Sequence, residues 1–320
     1  MEPRFKKVLI IGINGGLAQI TAKLIKKLNP TIKVLGVDNR PVNQIKPILG
    51  VDLKKIRYTR NEFERLFRDN KFDAIYHLGR MTHAKVTPKS SLAQRLDLNV
   101  MGTNRILEMA KEFNVKKVIV LSTWHVYGAF PDNPIFIKEN SLLKASLKNP
   151  ELRDVVEMDQ IATNWMWKNQ HETETLVFRP CSIVGPTIKN SMTKYLTTPY
   201  APLGIDYNPM MQFIHEYDMA HVLAYALNFI PMGTYNVAPP DFISIQEAKK
   251  LIDVPYLPSS VIALEVMAKW INKNIFTVPT YLIDYLKYSS LISTEEINKH
   301  LPKDFFRFSI QDSLQLMQMP

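Results

Sequence analysis

The sequence predicts an α/β protein built on a doubly wound, mainly parallel sheet, with a smaller C-terminal substrate lobe. Three observations carry that prediction. From Val8 to Pro180, apolar runs rich in β-branched residues alternate with segments of helical periodicity, the pattern of βαβ units. The first run, Val8-Leu9-Ile10-Ile11, stops at Gly12 and is followed by Gly15 and Ala18. The next run closes on Asp38, twenty residues past Ala18.

The opening strand around Lys7–Ile11 reads as buried because it is continuously apolar and ends at a glycine. The small residues Gly12, Gly15 and Ala18 then keep side chains out of a strand-to-helix turn. Side chains there would hold the backbone and the helix N-terminus away from a pyrophosphate. The spacing differs by one residue from the GxGxxG form. A helix over Leu17–Leu28 follows, with apolar residues at helical spacing. The second strand, Thr31–Val37, delivers Asp38 where an acidic side chain takes the adenosine ribose hydroxyls. Strand, small-residue turn, helix, strand and acid arrive in the order of a Rossmann-like dinucleotide site. NAD is preferred over NADP because Asp38 repels a 2′-phosphate, although Arg40, two residues on, weighs against that preference.

Beyond Asp38 the sequence predicts a loop over Asn39–Leu49, a weak strand near Lys55–Tyr58 and a polar helix over Asn61–Asp69. A strand over Phe72–Gly79 comes next. A helix then starts within Ser91–Leu96 and passes through Asn99 to Glu108. Strands at Val118–Thr123 and Leu176–Pro180 complete the alternation. From Pro180 proline and tyrosine become more frequent and periodic segments shorten. Residues 1–179 are therefore read as the dinucleotide-binding domain and 180–320 mainly as the substrate lobe, with elements at about 213–238 returning to the sheet. Val261–Trp270 and Tyr281–Leu286 read as amphipathic helices of that lobe.

A chain of 320 residues with 46% hydrophobic content buries a full α/β core. Its start lacks an export-signal pattern and no apolar run reaches membrane-spanning length, so a soluble, cytoplasmic protein without a membrane partner is expected. The one cysteine, Cys181, excludes an internal disulfide and a cysteine-based zinc site. The histidines show no metal-ligand spacing, so no metal is expected. The net charge of +10 suits anionic ligands. The lysines are spread along helices rather than massed in a run, which reads as a solvated face and not as a nucleic-acid surface.

Further pieces follow in order: His77-Leu78-Gly79, Asn99-Val100-Met101-Gly102-Thr103, Ser122-Thr123 with Val126-Tyr127-Gly128, Arg179-Pro180 leading to Gly185-Pro186, Phe213-Ile214-His215 with Asp218, and Gly233-Thr234-Tyr235-Asn236-Val237. With the Gly12/Gly15/Ala18 turn and Asp38-Asn39, the chain resembles an extended short-chain dehydrogenase/reductase of the NAD-dependent epimerase/dehydratase type. The resemblance runs nearly the full length. It implies that Gly12, Asn14, Gly15, Gly16 and Leu17 line the cofactor's pyrophosphate. It places Asp38 and Asn39 at the adenosine, Leu78, Gly79 and Arg80 beside the cofactor's middle, and the backbone after Leu121 and Pro180 near the nicotinamide. Asn99 matches the asparagine on the helix beneath the site, either as a ligand contact or as a helix-stabilising amide. Thr123 matches the residue that hydrogen-bonds the reacting substrate oxygen. The implied substrate is a small molecule of the nucleotide-sugar kind; the cluster Trp165-Met166-Trp167 reads as packing or as a homodimer face, since related proteins pair through helices here. One departure is Tyr58-Thr59-Arg60, where an acidic residue usually lies near adenine.

The family's chemistry rests on a Tyr-x-x-x-Lys pair, in which the lysine lowers the pKa of a phenol that is otherwise about 10. Matched back from Arg179-Pro180, those positions fall at Glu151 and Val155. No tyrosine occurs between Gly128 and Phe178 in any register. Candidate replacements are Glu151, whose acidic neighbours also suit a helix N-terminus, His125, which alternates with Thr123 as though pointing elsewhere or else packs beside Trp124, and His83 near the site mouth. Two readings remain. Either the protein performs hydride chemistry with an unconventional acid or base, or it binds NAD(P) without turnover as a sensor or interaction protein.

Overall fold

The computed structural model describes residues 4–43, 45–79, 92–261, 263 and 279–317. Arg80, His83 and most of Val261–Trp270 lie outside the described residues. Seven parallel strands form the central sheet: β1 (Lys7–Ile11), β2 (Lys33–Asp38), β3 (Val51–Lys55), β4 (Ala74–His77), β5 (Lys117–Leu121), β6 (Glu174–Pro180) and β7 (Gly233–Val237). Their spatial order is β7-β6-β5-β4-β1-β2-β3. The winding reverses beside β1, which pairs with β2 on one side and β4 on the other. In an open parallel sheet that reversal leaves a crevice at the carboxyl ends of the strands, where ligands bind. The register lines those ends up: Ile11 stands opposite Val37 and His77, and Leu121 opposite Phe178.

Both faces of the sheet are buried, which explains why β1 reads as continuous apolar sequence. Val8 and Ile10 join one core cluster with Leu17 and Ala22, while Leu9 and Ile11 join the other with Phe63 and Leu107. The first face is covered by α1 (Gly16–Leu28), packed on the later helix Glu216–Phe229. The second carries α2 (Arg60–Asp69), α3 (Gly102–Glu112) and α4 (Arg153–Lys168). The helix Glu216–Phe229 is α5. It and β7 fall after Pro180 in sequence yet build the sheet layers.

Several elements differ from the sequence reading. The third strand lies at Val51–Lys55 rather than Lys55–Tyr58 because it continues the pairing of Val34–Asp38, and only Ile56 N still reaches Asp38 O. The helix through Asn99 is helical from Leu92, but Leu96–Met101 is a π-turn before α3 begins. Such turns recur at functional sites. Tyr281–Leu286 is not an amphipathic helix but one short turn, Leu282–Tyr285. The remaining chain forms two-stranded pairs, including Phe136–Ile137 with Leu291–Ile292 and Ser182–Val184 with Phe213–His215.

The chain's last described residues strap onto α5. The His215 ring stacks on Phe308 at 4.0 Å between centroids and His221 on Phe305 at 4.3 Å. Asp218 accepts from the backbone N–H groups of Arg307 and Phe308. Burial pushes both imidazoles below their ordinary 6.5, helped at His221 by the Arg307 charge. The neutral rings are therefore the form that packs, and the unfolded chain takes up protons first as pH falls. Stability contributed here is complete above about pH 6.5 and declines below it. Thermal unfolding followed from pH 8 to pH 5 will show a falling midpoint below 6.5, with a shallower fall in His221→Leu.

Candidate functional site

At the carboxyl end of β1 the chain turns through Gly12, which holds φ +92° and donates its N–H to Val37 O at 2.8 Å. A β-carbon on Gly12 would lie 2.4 Å from the Gly79 α-carbon, so two backbones meet where only hydrogen fits. Gly15 N donates to Gly12 O and then caps α1 with no side chain. No acidic residue stands in the first turn of α1. Its first N–H groups and the positive end of its dipole are thus left for an anion, as a dinucleotide's pyrophosphate requires. Asn14 anchors the turn by donating from Nδ2 to Pro41 O at 3.0 Å. Leu17 and Ala18 point into the core.

Gly16 is small for a reason the sequence did not suggest. A β-carbon there would lie 1.9 Å from Thr187 Oγ1, because the later segment packs on the turn. Thr187 in turn donates from Oγ1 and N to the buried Glu216 carboxylate, at 2.5 and 3.1 Å. Burial raises the Glu216 carboxyl above the usual range despite those bonds.

Asp38 ends β2 fully covered. Its carboxylate accepts from Asn14 N at 3.1 Å and from Arg40 N, Nε and Nη2 at 3.0 Å each. Burial alone would raise this carboxyl, but the Arg40 hydrogen bonds and charge outweigh it and hold it below the usual range. Asn39 is exposed beside it. The Tyr58 phenol, raised by burial and by the Asp38 charge, reaches the backbone of Gly12. Leu78 N bonds Ile11 O at 3.1 Å, which sets Leu78 and Gly79 across the crevice from the glycine turn.

Beneath the crevice the π-turn carries Asn99, which donates from Nδ2 to Asp154 Oδ2 at 2.7 Å. Arg95 lies 3.6 Å from the same carboxylate and donates to Glu151 O at 3.0 Å. All three side chains are buried, so this amide and ion pair dock the start of α4 onto the helix through Asn99.

A second buried network fixes the rest of α4. Asp159 accepts from Arg179 Nε and Nη2 at 2.9 and 2.6 Å, and from Ser122 Oγ at 2.5 Å. Arg179 also donates to Tyr127 Oη and Glu139 O, and Tyr127 donates to Asn236 Oδ1 at 2.7 Å. One and two turns before Asp159 stand Val155, 3% exposed, and Glu151. The helix face that Asp159 defines therefore carries the aliphatic Val155 one turn earlier. Removing one partner of a buried pair strands the other charge. Asp159→Ala will lower unfolding free energy by about 3–5 kcal/mol in urea titrations, more than Glu157→Ala, which removes only a half-buried i,i+4 pair with Arg153 on the same helix.

Thr123, 5% exposed, caps the 3-10 turn Trp124–Tyr127 beyond β5. The alternation of residues 123 and 125 suggests diverging side chains, but this turn curls the histidine back. His125 Nδ1 lies 2.9 Å from Thr123 Oγ1. Trp124, Tyr285 and Tyr281 enclose the imidazole with ring centroids at 4.5, 4.9 and 5.7 Å. Tyr285 donates to His125 O at 2.9 Å, and Tyr281 donates to Ser191 Oγ at 3.0 Å. Glu151 accepts from Thr280 Oγ1 and Tyr281 N at 2.8 and 2.9 Å, so its carboxylate anchors this late turn. Asp284 completes the docking with Lys148 and Asn149. Leu121 and Pro180 end neighbouring strands beside Thr123. The Thr280–Tyr285 contribution was missed in the sequence; its only signal was two tyrosines four apart. Among the described residues, no three or more His, Cys, Asp or Glu side chains are placed to hold a metal ion, and no helix is long and apolar enough to cross a membrane.

A parallel sheet with its switch point at β1, a glycine turn opening α1 and an acid closing β2 defines the architecture of a dinucleotide-binding protein. The chain belongs to the NAD dependent epimerase/dehydratase family, whose profile matches residues 8–238. An uncharacterized protein of Mycobacterium tuberculosis is 23% identical over 94% of this chain and 80% of its own length. The dTDP-D-glucose 4,6-dehydratase of Dictyostelium discoideum is 28% identical over 39% of this chain and 30% of its own. Among solved structures, the dTDP-glucose 4,6-dehydratase of Bacillus anthracis in complex with NAD superposes with a TM-score of 0.70 at 17% identity, covering 98% of this chain and 95% of that one. The UDP-glucose 4-epimerase of Thermotoga maritima with UDP-glucose gives 0.72 at 14% identity, covering 97% of both chains. These likenesses confirm the Rossmann-like architecture.

Proposed function

We propose that the protein binds NAD in the crevice at β1 and performs hydride chemistry on a hydroxyl-bearing substrate of the nucleotide-sugar class, with Thr123 and His125 as its acid–base pair. The observation that carries this reading is the 2.9 Å contact between Thr123 Oγ1 and His125 Nδ1 at the end of β5. Family membership and the NAD and UDP-glucose complexes of the structural neighbours support the cofactor and substrate class. Bound NAD would supply a hydride acceptor and donor at its nicotinamide. Gly12, Gly15 and the start of α1 hold the pyrophosphate, and Asp38 holds the adenosine ribose.

Thr123 accepts the proton of the substrate hydroxyl while passing its own to His125 Nδ1. The substrate alcohol thus becomes a carbonyl as its hydride departs, and the imidazole leaves the step protonated. The reverse transfer reduces a carbonyl. An alcohol cannot keep a proton deficit at neutral pH, but an imidazole titrates there and can hold the proton. Tyr285 fixes the turn by its bond to His125 O, and the aromatic wall limits the ring's rotation.

The second reading, a dinucleotide-binding protein without turnover, is favoured by the buried Val155 in place of a lysine. Purified protein with NAD and a panel of UDP- and dTDP-sugars separates the two, by nicotinamide absorbance together with product analysis. Turnover is expected, and Thr123→Val or His125→Gln will each lower kcat by about 100-fold or more while NAD binding stays within a few-fold. NAD binding without turnover across the panel would overturn the catalytic reading.

A further inference from the structure

The first turn of α1 contains no acidic residue, but the fold brings one to it from α5. Glu216 opens α5, and its carboxylate accepts from Thr187 Oγ1 at 2.5 Å and from Thr187 N at 3.1 Å. Thr187 Oγ1 is also the atom that a β-carbon on Gly16 would meet at 1.9 Å. The carboxylate is thus one hydroxyl away from the backbone that opens α1. A β-carbon on Gly185 would lie 2.5 Å from Glu216 Cγ, so a second glycine makes room for the acid. Glu216 is 4% exposed. Among the described residues no cation pairs with it; burial and the Thr187 hydrogen bonds are what act on it. The other charged or titratable groups around this point are His215, Asp218 and His221 on or just before α5, Lys189 on the segment with Thr187, Lys23 two turns into α1, and Arg307, whose guanidinium lies over the Tyr217 ring. The strand Ser182–Val184 brings none.

We infer that Glu216 is the proton-linked group of the dinucleotide site: as a pyrophosphate settles on the start of α1, the Glu216 carboxylate takes up one proton from solvent, so binding weakens as pH rises. The inference rests on the dinucleotide site proposed above. In a desolvated place a neighbouring negative charge acts strongly, and it favours the neutral carboxyl. Burial already holds the Glu216 carboxyl above its ordinary 4.5, nearer to neutrality than an exposed one. Once protonated, Glu216 donates to Thr187 Oγ1, and the Thr187 hydroxyl proton is released for the arriving anion. The complex then holds more protons than the free protein. Affinity is highest below the free carboxyl's value, falls between the free and bound values, and levels off above them.

The test is fluorescence titration of the full chain with NADH from pH 6 to pH 8, in wild type, Glu216→Gln and Thr187→Val. Circular dichroism confirms folding, and calorimetry in buffers of unlike ionisation enthalpy counts the protons. NADH carries no group that titrates in that interval. The wild-type dissociation constant is expected to rise about fivefold or more across it, by no more than about tenfold per pH unit, with net proton uptake. Glu216→Gln gives a flat profile without uptake and binds at least as tightly as wild type at pH 8. Thr187→Val removes one donor to the ionised carboxylate, so the fall in affinity moves to higher pH; it carries the comparison if Glu216→Gln does not fold. Equal slopes in wild type and Glu216→Gln, or an unmoved fall in Thr187→Val, overturn the role of Glu216 and leave the site intact. Failure of wild type to bind NADH at any pH overturns the site itself and this inference with it.

Discussion

The ion pair between Asp159 and Arg179 joins α4 to β6 inside the core, and the rest of the site depends on where it puts those two elements. Asp159 also takes the hydroxyl of Ser122, the residue before Thr123, while Arg179 reaches the Tyr127 phenol just beyond His125. The turn bearing Thr123 and His125 is therefore held at both ends by one buried pair. Glu139 O and Asn236 extend the same network toward β7 and the small strand pairs beyond it. Two unlike charges in a core cost solvation that only full hydrogen bonding offsets. Each side-chain nitrogen and hydroxyl of that cluster has a hydrogen-bond partner, which offsets that cost and fixes the geometry.

The fold was largely legible because its information is local. A parallel strand buried on both faces must be apolar throughout, and the glycine ending β1 must tolerate the backbone of Gly79, so strand and turn are both written in single residues. Asp38 was legible for the same reason. What could not be read was the reach of distant segments. Gly16 is small because Thr187 packs on it, and nothing within the first strand and helix records that contact. The orientation of His125 failed as an expectation because strand alternation was extended past the end of β5, into a turn that follows a different period. The third strand was placed too late because its pairing with β2, not its own propensity, sets its limits.

The late turn at Thr280–Tyr285 completes the surroundings of the start of α4. Position 151 carries a carboxylate, and that carboxylate grips Thr280 and the backbone of Tyr281. The space beside α4 is thereby filled by aromatic rings delivered from the far end of the chain, with Tyr285 fully buried and its phenol raised well above the ordinary value by burial. A phenol so raised is a poor base and stays protonated, which suits the hydrogen bond it donates to His125 O. Glu151 and Tyr285 thus both help to hold the turns that flank His125.

The changes at residues 125, 151 and 155 are also mutually consistent on the proposed reading. A phenol with an ordinary pKa of about 10 needs a nearby cation to work as a base at neutral pH, and a lysine one turn away supplies it. An imidazole with an ordinary value of about 6.5 needs no such help. A lysine beside it would disfavour the imidazolium and spoil it as a proton acceptor. On that reading the base no longer needs a lysine's charge, and Val155 closes over the core. Arg95, buried beside the start of α4, is already committed to Asp154 and Glu151 O. On the proposed reading the acid–base work falls to Thr123 and His125 beyond the end of β5, without any residue of α4.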